Sequence, residues 1–313
     1  MENFLLALNA VIPFLLYLSF GYLSCRSGVF DEAFAKKLNQ VTFRLFFPCL
    51  TFYNIYSADI SEFPSRKLLA AVVGSLLLLI GLLCIAVPHV VADRARAGVV
   101  VQGIYRSNVL LYGLPMTVHL FGEESAPMAA MIVTVCITIY NITAVIVLEW
   151  FGGEKRSSAR ELLRDVCKNP LLQGAALGLL LFALKVQIPA SAEKVISAFS
   201  QMTSPLALFV LGATLHFSAI RKNAKCLAGV IAFKMLVVPA AALGLGYVLG
   251  LHGLELFLLV MMYATPVATS SYPMAQNMGC DGELAGQLVM LSTVISLLTL
   301  FGWIYIMKAL MLF

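Results

Sequence analysis

Apolar runs, most of them about 20 residues long, follow one another along almost the whole chain, and each is long enough to cross a hydrocarbon core of roughly 30 Å as a helix. Of the 313 residues, 61% are hydrophobic and only 12% are charged. A soluble domain carries about twice that share of charge. The sequence therefore predicts an all-α membrane protein with many spans, and it excludes a water-soluble fold.

Ten transmembrane helices account for these runs. The predicted spans are residues 4–24, 38–57, 68–91, 98–121, 125–150, 170–188, 196–217, 227–251, 254–278 and 284–312. No polar stretch is long enough for a soluble domain, since the longest runs from Gly152 to Lys168. We expect the protein to act within the cell membrane, in contact with lipid.

The loop charges predict the orientation of the chain. With the amino terminus outside, the loops after the odd-numbered spans hold 13 Lys and Arg and the opposite side holds 5. Cytoplasmic loops carry the excess of positive charge, so both termini are predicted to be extracellular or periplasmic. The net charge of +5 reflects this topology and gives no reason to expect a nucleic-acid partner.

Several unusual residues recur at an offset of 157 or 158 positions. The pairs are Pro13 with Pro170, Gly21 with Gly178, Pro48 with Pro205, Phe52 with Phe209, Tyr105 with Tyr263, Pro115 with Pro273 and Gly122 with Gly279. They predict two related halves of five spans, residues 1–150 and 169–313, joined by a cytoplasmic linker at 151–168. Because five is odd, the second half enters the membrane inverted, as in many secondary transporters.

Spans 4 and 9 are poorly suited to continuous helices. Span 4 holds Gly113 and Pro115, and span 9 holds Pro266 and Pro273; proline removes a backbone donor and clashes with the preceding turn. We predict that both spans break at mid-membrane, that Pro115 and Pro273 each open a half-helix, and that the two positive helix ends meet at one anion site. Simple kinks in two packed helices are the alternative.

Positive charge inside the spans is not matched by negative charge. Arg106 and Lys234 lie within spans 4 and 8, whereas the carboxylates Glu149 and Glu255 stand at span ends. Intramembrane charge usually marks a pathway or a buried pair, so unmatched cations favour an anionic substrate. The alternative is that these long side chains snorkel to the cytoplasmic surface, which applies most readily to Arg44.

The residues around the two breaks are the candidate site. Substrate binding is predicted for Asn108, Tyr112, Pro115, Thr265, Pro266, Thr269, Ser270, Pro273 and Asn277, with charge compensation by Arg106 and Lys234. No nucleophile and base arrangement and no metal-ligand spacing is present. We therefore expect neither catalytic residues, nor a metal, nor a cofactor.

Short motifs along nearly the whole chain resemble the auxin efflux carrier family, which includes bacterial malate-permease-like proteins and the plant PIN-formed carriers. The motifs are Phe46-Phe47-Pro48-Cys49-Leu50, Arg106-Ser107-Asn108 with Gly113-Leu114-Pro115, the run from Pro205 to Ala213, and Ala264-Thr265-Pro266. The resemblance implies a five-plus-five inverted repeat, crossed broken helices 4 and 9 with substrate at the crossing, an elevator-like motion and a homodimer. Two features depart from it: the long cytoplasmic loop of the plant carriers is absent, and Val109 to Tyr112 is bulkier than the Gly-rich stretch of many bacterial members.

The leading hypothesis is a secondary transporter of small organic anions, either small carboxylates such as a dicarboxylate or an amphipathic organic acid. A sodium-coupled symporter of organic acids, like the related bile acid carriers, is the runner-up, since hydroxyls and unwound carbonyls can bind sodium without a carboxylate. A non-transporting membrane sensor built on a carrier fold is a third possibility. An enzyme is not expected.

Overall fold

The computed structural model describes residues 2–57, 64–152, 159–215 and 217–313. The protein is all-helical, at 85% helix. Helical structure is the way in which a chain this apolar satisfies its backbone polar groups without water. The helices are α1 (Glu2–Arg26), α2 (Glu32–Val41), α3 (Phe47–Tyr56), α4 (Arg66–Val90), α5 (Arg94–Tyr105), α6 (Leu114–Phe121), α7 (Ala126–Phe151), α8 (Ala159–Lys168), α9 (Pro170–Ala183), α10 (Ala190–Ala213), α11 (Phe217–Ala232), α12 (Val238–Val248), α13 (Gly253–Ala264), α14 (Ser271–Asn277) and α15 (Gly282–Ala309).

Five helical stretches in the described residues are long and apolar enough to cross a membrane. They are Arg66–Val90, Glu123–Phe151, Ala190–Ala213, Ile220–Val248 and Gly282–Ala309. Four shorter apolar helices accompany them: Val11–Arg26, Val109–Phe121, Pro170–Ala183 and Gly253–Ala264. The prediction of an all-α protein with several membrane spans is confirmed.

Three π-helical segments lead directly into α-helices, and each ends two residues before a proline. The segments are Thr42–Phe46 before Pro48, Val109–Gly113 before Pro115, and Phe233–Val237 before Pro239. In each, the first α-helical N–H that follows donates to the carbonyl five residues earlier, as from Leu114 to Val109. A proline ring clashes with the carbonyl four residues before it, and the wider π turn relieves that clash while the helix continues.

Two helix pairs pack with their backbones almost in contact. A Cβ added at Gly21 of α1 would overlap the carbonyl oxygen of Phe209 in α10, and one added at Gly178 of α9 would lie 2.7 Å from the carbonyl oxygen of Phe52 in α3. Glycine at such contacts is how membrane helices approach closely, because lipid offers no hydrophobic drive for association. The α1–α10 and α3–α9 pairs, together with α3 against α10, form one packed group.

Inside predicted spans 4 and 9 the helical structure is interrupted. It ends at Tyr105 and resumes at Val109, and it ends at Ala264 and resumes at Ser271. Pro115 and Pro273 thus lie six and two residues inside the helical runs that follow. Pro115 is nevertheless the second residue of the α-helical part, α6, and Pro273 is the third residue of α14. Both prolines therefore lie in the first turn of an α-helix, where proline is tolerated, and their role in opening two half-helices stays a prediction.

Candidate functional site

The two interruptions lie against each other. Ser107 and Val267 form an isolated antiparallel bridge, in which the Asn108 N–H donates to the Pro266 carbonyl at 2.8 Å and the Ala268 N–H donates to the Arg106 carbonyl at 3.4 Å. Non-helical backbone inside a membrane must have its polar groups satisfied by protein or water. Each interruption supplies partners for the other.

A cavity of about 70 Å³ lies beside this bridge. Its walls come from both interruptions and from α3, α7 and α10: Phe47, Leu50, Thr51, Asn54, Arg106, Ser107, Asn108, Val109, Leu110, Leu111, Ile137, Tyr140, Asn141, Ser204, Ala268, Thr269 and Ser270. A larger cleft of about 550 Å³ shares Leu50, Asn54 and Ser204 with it and continues along α1 and α10. The small cavity therefore adjoins a wider, mostly apolar space.

Arg106 is buried at the cavity wall without a carboxylate partner. Its side chain is 2% exposed and donates to Asn141 Oδ1 at 2.8 Å, to Ser270 Oγ at 2.7 Å and to Met274 Sδ at 2.8 Å. All three acceptors are neutral. The ion pairs among the described residues join Lys36 with Glu32, Arg96 with Asp281 and Arg164 with Asp165. The positive charge of Arg106 is thus solvated by dipoles and not cancelled, a costly state inside a membrane.

An unpaired hydrogen-bond donor lies at the same cavity. The Asn108 side chain is 8% exposed, and its buried Nδ2 has no partner among the described residues. The helical run that follows begins at Val109 on the cavity wall, and the first N–H groups of a helix have no intrahelical acceptor. The cavity wall thus carries a free donor beside a buried positive charge, and an oxygen-rich anion could accept from both.

Lys234 supports the bridge from α11–α12. Its ammonium, on a fully buried side chain, donates to Ser107 Oγ at 2.5 Å and to the Tyr263 carbonyl at 3.3 Å. Snorkelling of Lys234 to the surface is therefore wrong, whereas Arg44 is exposed. Lys234 does not line the cavity, so it contacts the bridge from outside the cavity.

The predicted substrate residues are divided among several places. Thr269 and Ser270 line the cavity with Asn108, while Tyr112 lines the adjoining cleft. Thr265 and Pro266 belong to the second interruption, where the Pro266 carbonyl is used in the bridge.

Three further residues of that prediction lie elsewhere. Pro115 is exposed on α6. The Pro273 carbonyl accepts a 2.7 Å hydrogen bond from Asn277 Nδ2. Asn277 lines a separate cleft with Glu149 and Asp165, so these three residues do not meet at the cavity.

Two residues that hold Arg106 and Lys234 were not among the predicted site residues. Asn141 accepts from Arg106, and Ser107 accepts from Lys234. The amide in the mostly apolar α7 could have lined the site on sequence grounds, but polar residues also bridge packed membrane helices. Ser107 stood between two predicted site residues and could have been included on position alone.

Comparison with known proteins decides the family. A family model described as membrane transport protein matches residues 6–304. The chain belongs to this family. The resemblance to the auxin efflux carriers drawn from short motifs is confirmed, since this family comprises auxin efflux carriers and malonate-permease-like proteins. The protein is a membrane transporter and not an enzyme.

The relatives of this transporter match it along nearly their whole length. An uncharacterized transporter of Methanocaldococcus jannaschii is 26% identical over 316 residues, which cover 96% of this chain and 99% of the relative. One from Methanothermobacter thermautotrophicus is 25% identical, with 94% and 96% covered. A putative malonate transporter of Rhizobium meliloti is 22% identical, with 96% and 95% covered. The similarity to these transporters thus extends over nearly the whole chain.

Proposed function

We propose that this transporter carries small organic anions, carboxylates above all, and binds them in the cavity beside the bridge. The observation that carries the proposal is the uncancelled charge of Arg106, which faces the same cavity as the unpaired Asn108 amide. A carboxylate there would cancel the charge and accept from both donors, and charge-assisted hydrogen bonds are roughly twice as strong as neutral ones. A neutral substrate would leave the charge of the guanidinium uncancelled.

The size of the cavity and one relative agree with this substrate class. A space of about 70 Å³ suits a small acid better than a large amphipathic one. The Rhizobium meliloti relative is named as a putative malonate transporter, which is a small dicarboxylate. Because the identity is 22%, we extend to this chain only the class of substrate in that name, a small carboxylate.

We also propose the inverted-repeat architecture with two interrupted, crossing spans. In this view α5 with α6 forms span 4 and α13 with α14 forms span 9. Asn108 hydrogen-bonds to Pro266, its own counterpart at an offset of 158. The glycine contacts repeat as well. Gly21 contacts Phe209 and Gly178 contacts Phe52. A shift of 157 positions takes Gly21 to Gly178 and Phe52 to Phe209, so the two contacts are counterparts. Both facts support related halves at 1–150 and 169–313, with 151–168 as linker.

An elevator-like motion fits how the helices are grouped. The packed group of α1, α3, α9 and α10 supplies one wall of the cavity through Thr51, Asn54 and Ser204, and the two interruptions supply the opposite wall. A substrate held between two such bodies changes sides when one slides against the other. The homodimer implied by family resemblance would hold one of these bodies fixed.

Lys234 favours transport without sodium over the sodium-coupled alternative. Hydroxyl and unwound carbonyl oxygens are the ligands that a sodium ion would use at such a crossing. Here the Lys234 ammonium already occupies Ser107 Oγ and the Tyr263 carbonyl. A tethered cation therefore takes two of the oxygens that a coupling ion would need.

Uptake into proteoliposomes tests the substrate class and the coupling together. We expect accumulation of radiolabelled malonate that is competed by other small carboxylates, that is not competed by the corresponding diamide, and that persists when sodium is replaced by choline. Loss of uptake without sodium would establish the symporter instead. Saturable binding with no uptake in either medium would favour a sensor.

The topology is tested by labelling single cysteines in a cysteine-free background. We expect residues at the positions of Glu62 and Lys194 to react with a membrane-impermeant maleimide in intact cells, and Ser157 and Lys222 only after permeabilisation, because of the 13 to 5 split of loop charge. Glu62 and Ser157 fall outside the described residues, whereas Lys194 and Lys222 are exposed and serve as internal checks. Labelling at Ser157 from outside would reverse the orientation.

A further inference from the structure

A large apolar crevice lies between α4 and the α11–α12 helix, away from the cavity described above. Its volume is about 670 Å³, within the range of ligand pockets, which are roughly 300 to 1,000 Å³. Exposed leucines form part of its rim, with Leu78 at 64% and Leu82 at 55% exposure. In a membrane-spanning protein such a surface faces the lipid phase.

The crevice follows one face of α4 and one face of the α11–α12 helix. On α4 its lining residues recur every three or four positions from Lys67 through Gly74 to Leu82, the spacing of a single helix face. That face is about 22 Å long at 1.5 Å per residue, and one leaflet of hydrocarbon is about 15 Å deep, half of a 30 Å core. An acyl chain that starts at the headgroup level would fit within it.

A positive charge, that of Lys67, lies at one end of the crevice. Lys67 is exposed in the first turn of α4 and has no carboxylate partner among the described residues, and no Asp or Glu lines the crevice. Polar hydroxyls occur deeper, where Ser75 Oγ and Tyr263 Oη lie 2.7 Å apart. A cation at the interface above an apolar channel matches a phosphate above an acyl chain.

We propose that this crevice is a binding site for one anionic phospholipid, whose phosphate contacts Lys67 and whose acyl chain lies between α4 and α12. The lipid would brace α4 against the π segment at Phe233–Val237, which forms part of the opposite wall. Lys234 is in the same segment, and Tyr263 joins the two sites, because its hydroxyl lines the crevice while its carbonyl accepts from Lys234. The site is independent of the identity of the transported anion.

The chain offers matched variants for a test. Gly74 and Gly81 are both exposed on α4, and a Cβ at either meets nothing within 4 Å, but only Gly74 lines the crevice. Gly74→Leu therefore fills the channel, and Gly81→Leu is its control. Lys67→Gln removes the proposed phosphate contact, and Arg66→Gln removes a neighbouring exposed charge that does not line the crevice.

Each purified protein is titrated with phosphatidylglycerol or with phosphatidylcholine of the same acyl chains, and melting temperature and lipid retained in native mass spectrometry are measured. We expect phosphatidylglycerol to stabilise the parent, Gly81→Leu and Arg66→Gln equally, since a ligand that binds the folded state raises its stability. Gly74→Leu should lose the response to both lipids. Lys67→Gln should retain phosphatidylglycerol roughly fivefold less tightly, the effect of about one interfacial basic residue. Inorganic phosphate alone should have no effect.

Three results would overturn the proposal. Equal responses of Gly74→Leu and Gly81→Leu would mean that lipid acts elsewhere. Equal responses of the parent to the two lipids would mean that no anionic headgroup is recognised. A loss of dimer in Gly74→Leu, with lipid retention unchanged, would assign the crevice to a second copy of the chain.

Discussion

Replacing Arg106 with glutamine should abolish the uptake of small carboxylates and leave the ligand-free protein at least as stable as the parent. Arg106 is buried with three neutral acceptors, so its charge is cancelled only when an anion is bound. Removing one partner of a buried ion pair costs about 3 to 5 kcal/mol, a factor of roughly 100 or more in affinity. Without ligand, the variant no longer buries an uncancelled charge, so its stability should not fall.

Both halves of that result are measurable on one preparation. Uptake is followed in proteoliposomes, and melting temperature is followed without and with carboxylate. The control is Arg44→Gln, because Arg44 is exposed and should change neither quantity. If Arg106→Gln transported normally, or if it unfolded in proportion to its loss of uptake, Arg106 would be a structural residue and the proposed site would be wrong.

Two substitutions of Asn108 should weaken substrate binding without lowering the stability of the protein. Asn108→Ala removes a donor that has no partner in the empty protein, so stability should be unchanged while affinity falls roughly 10- to 100-fold, as for a lost hydrogen bond to a charged ligand of about 1.5 to 3 kcal/mol. Asn108→Asp places a carboxylate at the cavity that Arg106 also lines. The internal anion should compete with substrate, so that uptake is lost while the melting temperature rises.

The matched control for these variants is Asn277→Ala. Asn277 lies in a separate cleft and bonds to its own helix, so its loss should not alter carboxylate affinity. Uptake and melting temperature are measured for all three proteins. An Asn108→Asp variant that transports like the parent would show that Asn108 and Arg106 do not share a ligand.

The parts of the structure that follow from local sequence were predictable. Apolar runs of span length require helices, because lipid cannot satisfy exposed backbone groups, and the family motifs lie in the same runs. The general place of the interruptions also follows from sequence, since Gly113, Pro115, Pro266 and Pro273 crowd both regions. The exact starts of the helical runs did not follow from the sequence, because a π turn lets helical structure begin at Val109, ahead of Pro115.

The parts of the candidate site that the sequence did not predict depend on contacts between distant segments. The acceptors of Arg106 are 35, 164 and 168 positions away in the chain, and nothing in a local window connects them. The same holds for Lys234, whose sequence environment fits a side chain that snorkels as well as one that is buried. Its burial depends on Ser107, 127 positions away. A site built from contacts between distant segments is visible only when the segments are brought together.

The π segments decide where the chain tolerates a change of length. A π turn holds one residue more than the α turn that it replaces, so the helix beyond it stays nearly in register. Deleting one residue within Phe233–Val237 would let that turn close into an α-helix, and the α12 face that lines the crevice would keep nearly the same direction. The same deletion in α12 beyond Pro239 would rotate the face that follows it by about 100°.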